Sequence, residues 1–228
     1  MRTLLPHNIT VLALDFTGSG LSEGEYVSLG WYEKDDLETV IEYLRSTGKV
    51  SLIGLWGRSM GAATSLFHGA RDPSIAAMVL DSPFVSLQQL SEELCKQYSK
   101  VPLFVARFIF RFLRKTIKKK AQFDISRIRP IEAAEKCYIP ALFVVAKSDD
   151  FVRPLHGEKL FKVYPGDKNI VRVEGDHNSD RPSFMFDSVS IFFHTLLGCD
   201  NLPKFEEEKL PILEHKGYQF NLDRVIER

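Results

Sequence analysis

Apolar residues in this chain come in short blocks of two kinds, and the two kinds alternate. Residues 9–14 (Ile-Thr-Val-Leu-Ala-Leu) form a β-branched, apolar run that ends at Asp15 and the turn-rich Thr17-Gly18-Ser19-Gly20. Such a run, so bounded, predicts a strand. Leu37, Val40, Ile41 and Leu44 then fall at i, i+3, i+4 and i+7, the spacing of one helix face. Glu33, Asp35 and Asp36 occupy the first turn of that helix, where its dipole favours acids, and Gly48 is placed to end it. Further strands are predicted over 49–56, 75–80, 140–145 and 169–173, with a closing helix over 184–197. Strands that are apolar throughout and separated by helices imply a parallel sheet covered on both faces. The expected fold class is α/β, a doubly wound, mostly parallel sheet.

One long interruption lies between Pro83 and Pro140, too long for a simple crossover, and it predicts a helical cap insertion over 86–136 within a domain spanning 1–200. Residues 100–120 of that insertion hold Lys100, Arg107, Arg111, Arg114, Lys115, Lys118, Lys119 and Lys120 and no acid. Between them stand Leu103, Phe104, Phe108, Ile109, Phe110, Phe112 and Leu113. Two readings stay open: a cap helix that packs its aromatics on the core, or an amphipathic surface that makes peripheral contact with anionic lipid or acyl chains. Residues 201–228, with Pro203, Pro211 and Glu206-Glu207-Glu208, read as a polar C-terminal extension.

Composition narrows the function classes. A length of 228 residues, 44% of them hydrophobic and 26% charged, suits one globular domain with a sizeable core. The formal net charge is zero, so no global field draws nucleic acid, and none is expected as a partner. Cys95, Cys137 and Cys199 are odd in number and lie in no metal-ligand spacing, as expected of reduced thiols in a cytoplasmic protein. Pro6, His7 and Asn8 interrupt the apolar start of the chain before a signal-peptide core can form.

The chemistry centres on Gly57-Arg58-Ser59-Met60-Gly61, which follows a predicted strand and precedes the helix-compatible run over 62–67. A serine between glycines at a strand-to-helix turn has the form of a nucleophile elbow. The turn is tight enough that glycine is expected on both sides, leaving the Ser59 hydroxyl exposed and the Met60 N–H aimed at a developing oxyanion. By itself the pattern is weak, since glycine and serine frequencies produce it by chance in roughly one chain of this length in twelve. A serine nucleophile also needs a base, and the base an orienting acid. Asp149-Asp150 follows the strand predicted over 140–145, and Gly175-Asp176-His177 follows the strand over 169–173. Both loops lie at carboxyl ends of parallel strands, where open α/β sheets place their ligands. Asp81 stands open as a rival acid and His156 as a rival histidine, while His7, His68, His194 and His215 carry no motif. Arg58 and Trp56 are expected to support the elbow by packing.

Here the chain resembles the α/β-hydrolase superfamily, in its serine aminopeptidase-like and Bem46-like branch, over about residues 10–197. Asp15-Phe16-Thr17-Gly18-Ser19-Gly20-Leu21-Ser22 is similar to the family's D-x-R-G-x-G-x-S loop, with Thr17 in the place of the usual arginine. Asp149-Asp150-Phe151-Val152 is similar to D-x-x-V and Gly175-Asp176-His177 to G-x-H. The resemblance implies a Ser59, Asp149, His177 triad, with Asp149 rather than Asp150 as the acid. It implies hydrolysis of an ester, thioester or amide through an acyl-enzyme, on a small-molecule or acylated substrate and without a cofactor. In the family a strand ending in a His-Gly segment precedes the position of Thr10 and supplies a second oxyanion N–H. No such segment precedes Thr10 here, so an N-terminally truncated and catalytically weak or inactive form is the alternative expectation. Gly18-Ser19-Gly20 is not read as a dinucleotide loop, because the polar Glu23-Gly24-Glu25 follows it instead of a helix.

Overall fold

The computed structural model describes residues 3–99 and 102–199. Four strands form one sheet: β1 (Gly54–Arg58), β2 (Ala77–Asp81), β3 (Ala141–Ala146) and β4 (Lys168–Val173). They pair in sequence order, all parallel, so each connection must cross over one face of the sheet. The helices are α1 (Glu33–Ser46), α2 (Met60–Gly69), α3 (Leu87–Leu94), α4 (Leu103–Ala121), α5 (Pro130–Ala134), α6 (Pro154–Val163) and α7 (Ser183–Leu196).

Side chains of the central strands alternate between two cores. Met78 and Leu80 of β2 and Phe143 of β3 point to one face, where they meet Leu37 and Ile41 of α1, Leu66 of α2 and Leu160 of α6. Ala77, Val79, Leu142 and Val144 point to the other, against Met185, Val189 and Phe193 of α7. β2 and β3 are buried at every position, which is why their sequences show no polar alternation. A third cluster joins the connection between β2 and β3 to the sheet. Leu90 of α3, Phe110 and Ala121 of α4, Phe123 and Ile128 pack there with Ala63 of α2 and with Val152 in the loop after β3.

The strand expected over 9–14 does not form; those residues are irregular. A strand exists only where a neighbouring backbone completes its ladder, and among the described residues β1 pairs with β2 alone. The segment still packs, with Ile9 and Val11 against the α7-side core. α1 begins at Glu33 and its end is marked by Gly48 at φ +65°, the left-handed conformation expected there. The C-terminal extension lies outside the described residues.

Candidate active site

The register of the sheet brings three loops to one rim. Arg58, the last residue of β1, is level with Asp81, the last of β2, and Asp81 is level with Val144 of β3. β3 and β4 run on together to Ala146 and Val173. The loops that start there carry Ser59, Asp149 and His177 respectively.

Ser59 has φ +52° and ψ −109°, a backbone state that costs an L-residue energy and that marks a forced turn. Two main-chain bonds hold it: its N–H donates to the Asp81 carbonyl at 2.8 Å, and its own carbonyl receives the Ala63 N–H at 3.0 Å. The steric demand on the flanking glycines is one-sided. A Cβ on Gly57 would drive into the backbone of Gly61, whereas a Cβ on Gly61 would meet nothing within 4 Å. The expectation that both glycines are required therefore holds for Gly57 alone. Met60 opens α2, where an N–H has no acceptor within the helix.

Asp149 and His177 are joined directly. His177 Nδ1 lies 2.7 Å from Asp149 Oδ2, and the Asp149 side chain is 1% exposed. The other carboxylate oxygen, Oδ1, accepts the N–H groups of Phe151 at 3.1 Å and Val152 at 2.7 Å. With Nδ1 as the donor of this pair, the neutral ring presents its lone pair at Nε2. The Phe151 ring packs on the imidazole at 5.1 Å between centroids. The Ser59 hydroxyl makes no hydrogen bond among the described residues, so the serine–histidine link stands open. Such links are commonly loose without substrate and tighten when it binds.

An unforeseen ion-pair network ties the elbow to the histidine loop. Arg181 donates to both Asp81 oxygens, Nη2 to Oδ1 at 2.9 Å and Nε to Oδ2 at 3.0 Å. Its Nη1 donates to the Asp176 carbonyl at 2.9 Å, next to His177. Arg58 Nε reaches Asp81 Oδ2 as well, at 2.9 Å. Asp81 thus receives the Ser59 N–H on its backbone and Arg181, from the loop after His177, on its side chain. The loop is stiffened further at Asp176, whose carboxyl is held below the usual range by the Ser179 hydroxyl and the N–H groups of Asn178 and Ser179.

The rivals named from sequence are placed elsewhere. Asp81 faces arginines and Ser82, not a histidine. Asp150 is exposed and accepts the Tyr98 hydroxyl at 3.3 Å. His156 is fully buried between Val85, whose N–H its Nδ1 accepts at 3.2 Å, and Glu93, 3.1 Å from Nε2. Burial pushes its imidazole below the ordinary value. Arg58 supports the elbow through an ion pair rather than packing, and Trp56 stands half-exposed against Phe186. His68 is 1% exposed, and neither ring nitrogen has a hydrogen-bond partner among the described residues, although Asp72 lies 3.5 Å away.

A family model described as "Serine aminopeptidase, S33" matches residues 1–127. The chain is 31% identical over 182 residues to the uncharacterized protein YqkD of Bacillus subtilis (strain 168), a match covering 78% of this chain and 58% of that one. Among solved structures, the esterase Pf2001 of Pyrococcus furiosus superposes with a TM-score of 0.67 at 22% identity, covering 86% of this chain and 75% of its own. Est1E of Butyrivibrio proteoclasticus, bound to ferulic acid, gives 0.58 at 18% identity, with 81% and 76% covered. The acetyl xylan esterase of Paenibacillus sp. R4 gives 0.57 at 14% identity, with 80% and 60% covered.

Proposed function

This chain belongs to the serine aminopeptidase S33 family, within the α/β-hydrolase superfamily, and from that premise we propose that it is a serine hydrolase. The substrate class is an ester, thioester or amide, cleaved through an acyl-enzyme on Ser59.

The observation that carries this reading is the 2.7 Å bond between His177 Nδ1 and the buried Asp149 carboxylate. It leaves Nε2 as a base at the same rim of the sheet as a strained serine. In the first step Ser59 Oγ bonds to the acyl carbon while its proton passes to His177 Nε2. Negative charge on the former carbonyl oxygen is met by the Met60 N–H, preorganised at the start of α2. The leaving alcohol, thiol or amine departs with the proton from His177. Water then attacks the acyl carbon, again giving its proton to His177, and Ser59 leaves with a proton as the acid is released. Asp149 stays ionised throughout and steadies the imidazolium.

A fluorophosphonate probe tests this. Wild type is expected to be labelled covalently and Ser59→Ala not. Labelling of both proteins, or of neither while wild type melts cooperatively, overturns the assignment.

A further inference from the structure

We infer that α4 is a docking surface for an anionic lipid bilayer. This goes beyond hydrolysis and does not depend on it. The nineteen residues Leu103–Ala121 make a helix about 28 Å long at 1.5 Å per residue. Only a narrow face is buried, at Ala106, Phe110 and Ala121, where it packs on α3 and the cluster above the rim. Phe104, Phe108 and Phe112 recur every fourth residue on roughly the opposite side. They are 74%, 69% and 64% exposed. A stripe of three solvated phenyl rings on one helix is a large uncovered apolar surface for a folded domain.

What surrounds the rings selects the occupant. α4 carries Arg107, Arg111, Arg114, Lys115, Lys118, Lys119 and Lys120 and no acid. Arg107 is paired with Glu92 at 3.2 Å, and Arg114 grips Asp124 through two bonds of 2.7 and 2.6 Å. Arg111, Lys115, Lys118, Lys119 and Lys120 have no ion pair among the described residues. Arg111, Arg114, Lys115 and Lys118 follow one another along one exposed flank of the helix, beside an open, shallow depression. The Phe stripe and the unpaired cations share the solvent side, with the rings in the N-terminal half and Lys115 and Lys119 continuing the stripe.

That combination fits a lipid surface better than a protein. A second copy packed on this face would bring two helices of the same sign together, seven cations and no acid on each. A folded acidic partner would need hollows for three projecting rings, whereas a bilayer interface needs none. An interfacial helix sinks its apolar side to the level of the acyl chains and leaves basic side chains among the headgroups. No described helix is long and apolar enough to cross a membrane, and α4, with seven charges, meets the surface only.

The test is cosedimentation of the full chain with phosphatidylcholine vesicles, with and without phosphatidylserine. Binding is expected only with phosphatidylserine and is expected to weaken as salt rises. The triple change Lys115→Glu, Lys118→Glu, Lys119→Glu is expected to lower partitioning at least about 100-fold, at about fivefold for each cation. Phe104→Ser, Phe108→Ser and Phe112→Ser together are expected to lower it about tenfold or more, with the salt dependence kept. If a triple variant melts early, single changes Phe108→Ser and Lys119→Glu at these exposed positions serve instead. Ser59→Ala is expected to bind vesicles as wild type does, which separates this result from any failure of the hydrolase reading. Absence of binding to phosphatidylserine vesicles, or binding indifferent to both sets of changes, overturns the proposal. So does a dimer in sedimentation velocity that the Phe→Ser changes dissolve, since a second copy would then cover the stripe.

Discussion

Arg181 and Asp81, a hundred residues apart in sequence, form a two-pronged ion pair in which both side chains are 2% exposed or less. Asp81 ends the strand beside Ser59 and Arg181 follows the loop of His177, so the pair fastens one of these loops to the other. Removing one member of a buried pair strands the other charge, at a cost of about 3–5 kcal/mol. Arg181→Met is therefore expected to destabilise the protein by about that amount in urea unfolding. Arg58 remains to partner Asp81 and sets the lower end of the range. A loss under about 1 kcal/mol would show that Arg58 or water replaces the contact in full.

Asp149→Asn tests the role of the acid without emptying its site. An amide can still accept the Phe151 and Val152 N–H groups through its oxygen, but can present its NH₂ to His177 and force the wrong tautomer. The expected result is a fall in kcat of about 10⁴ with little change in KM. Unfolding transitions matching wild type would show that the loss is chemical. A variant that keeps more than about a tenth of the activity would remove Asp149 from the mechanism.

The elbow offers a paired comparison. Gly57→Ala places a methyl against the Gly61 backbone and is expected to cost about 1–3 kcal/mol or more, with loss of probe labelling at Ser59. Gly61→Ala enters open space on a helix and is expected to leave stability within about 1 kcal/mol of wild type, on the stabilising side. Equal effects from the two changes would contradict the turn geometry described above.

Stability should fall in mild acid because of His156. Its Nδ1 already accepts the Val85 N–H, so a proton there would set donor against donor. Burial lowers its affinity for a proton, Lys159 and Arg153 lower it further, and Glu93 opposes them. Since the folded value lies below the unfolded value of about 6.5, the unfolded chain takes up the proton first as pH falls. The contribution is complete above about pH 6.5 and is lost progressively below it. The buried ring of His68 acts in the same direction. Urea unfolding at about pH 7.5 and about pH 5.5 should show a smaller loss for His156→Gln, which can keep both hydrogen bonds, than for wild type. Equal losses would clear His156 of the effect.

The sheet was legible where strands are buried on both sides. β2 and β3 each lie within about two residues of their apolar runs, because full burial leaves an unbroken hydrophobic signature. β4, last in the strand order and with only Val173 buried, was marked by its β-branched run instead. β1 was foreseen but sits toward the end of its run, at Gly54–Arg58. Residues 9–14 have the same signature and form no strand, since a run of apolar residues does not reveal whether a backbone partner stands beside it. Likewise Asp149 and His177 could be picked out from loops after strands, and their side chains are hydrogen-bonded to each other. Arg181 could not be read that way. It has no local motif, and its partner is chosen by a sheet register that appears only once the chain is folded. The freedom at Gly61 was hidden for a similar reason: a tight turn names its glycines, but only geometry tells which of them is crowded.

The one-signed helix also changes what electrical neutrality means for this molecule. α4 holds seven cations and no anion in a chain whose formal total is zero, and of the seven only Arg107 and Arg114 are ion-paired among the described residues. At the pH where its net charge vanishes the protein is therefore expected to be retained on a cation exchanger through that helix.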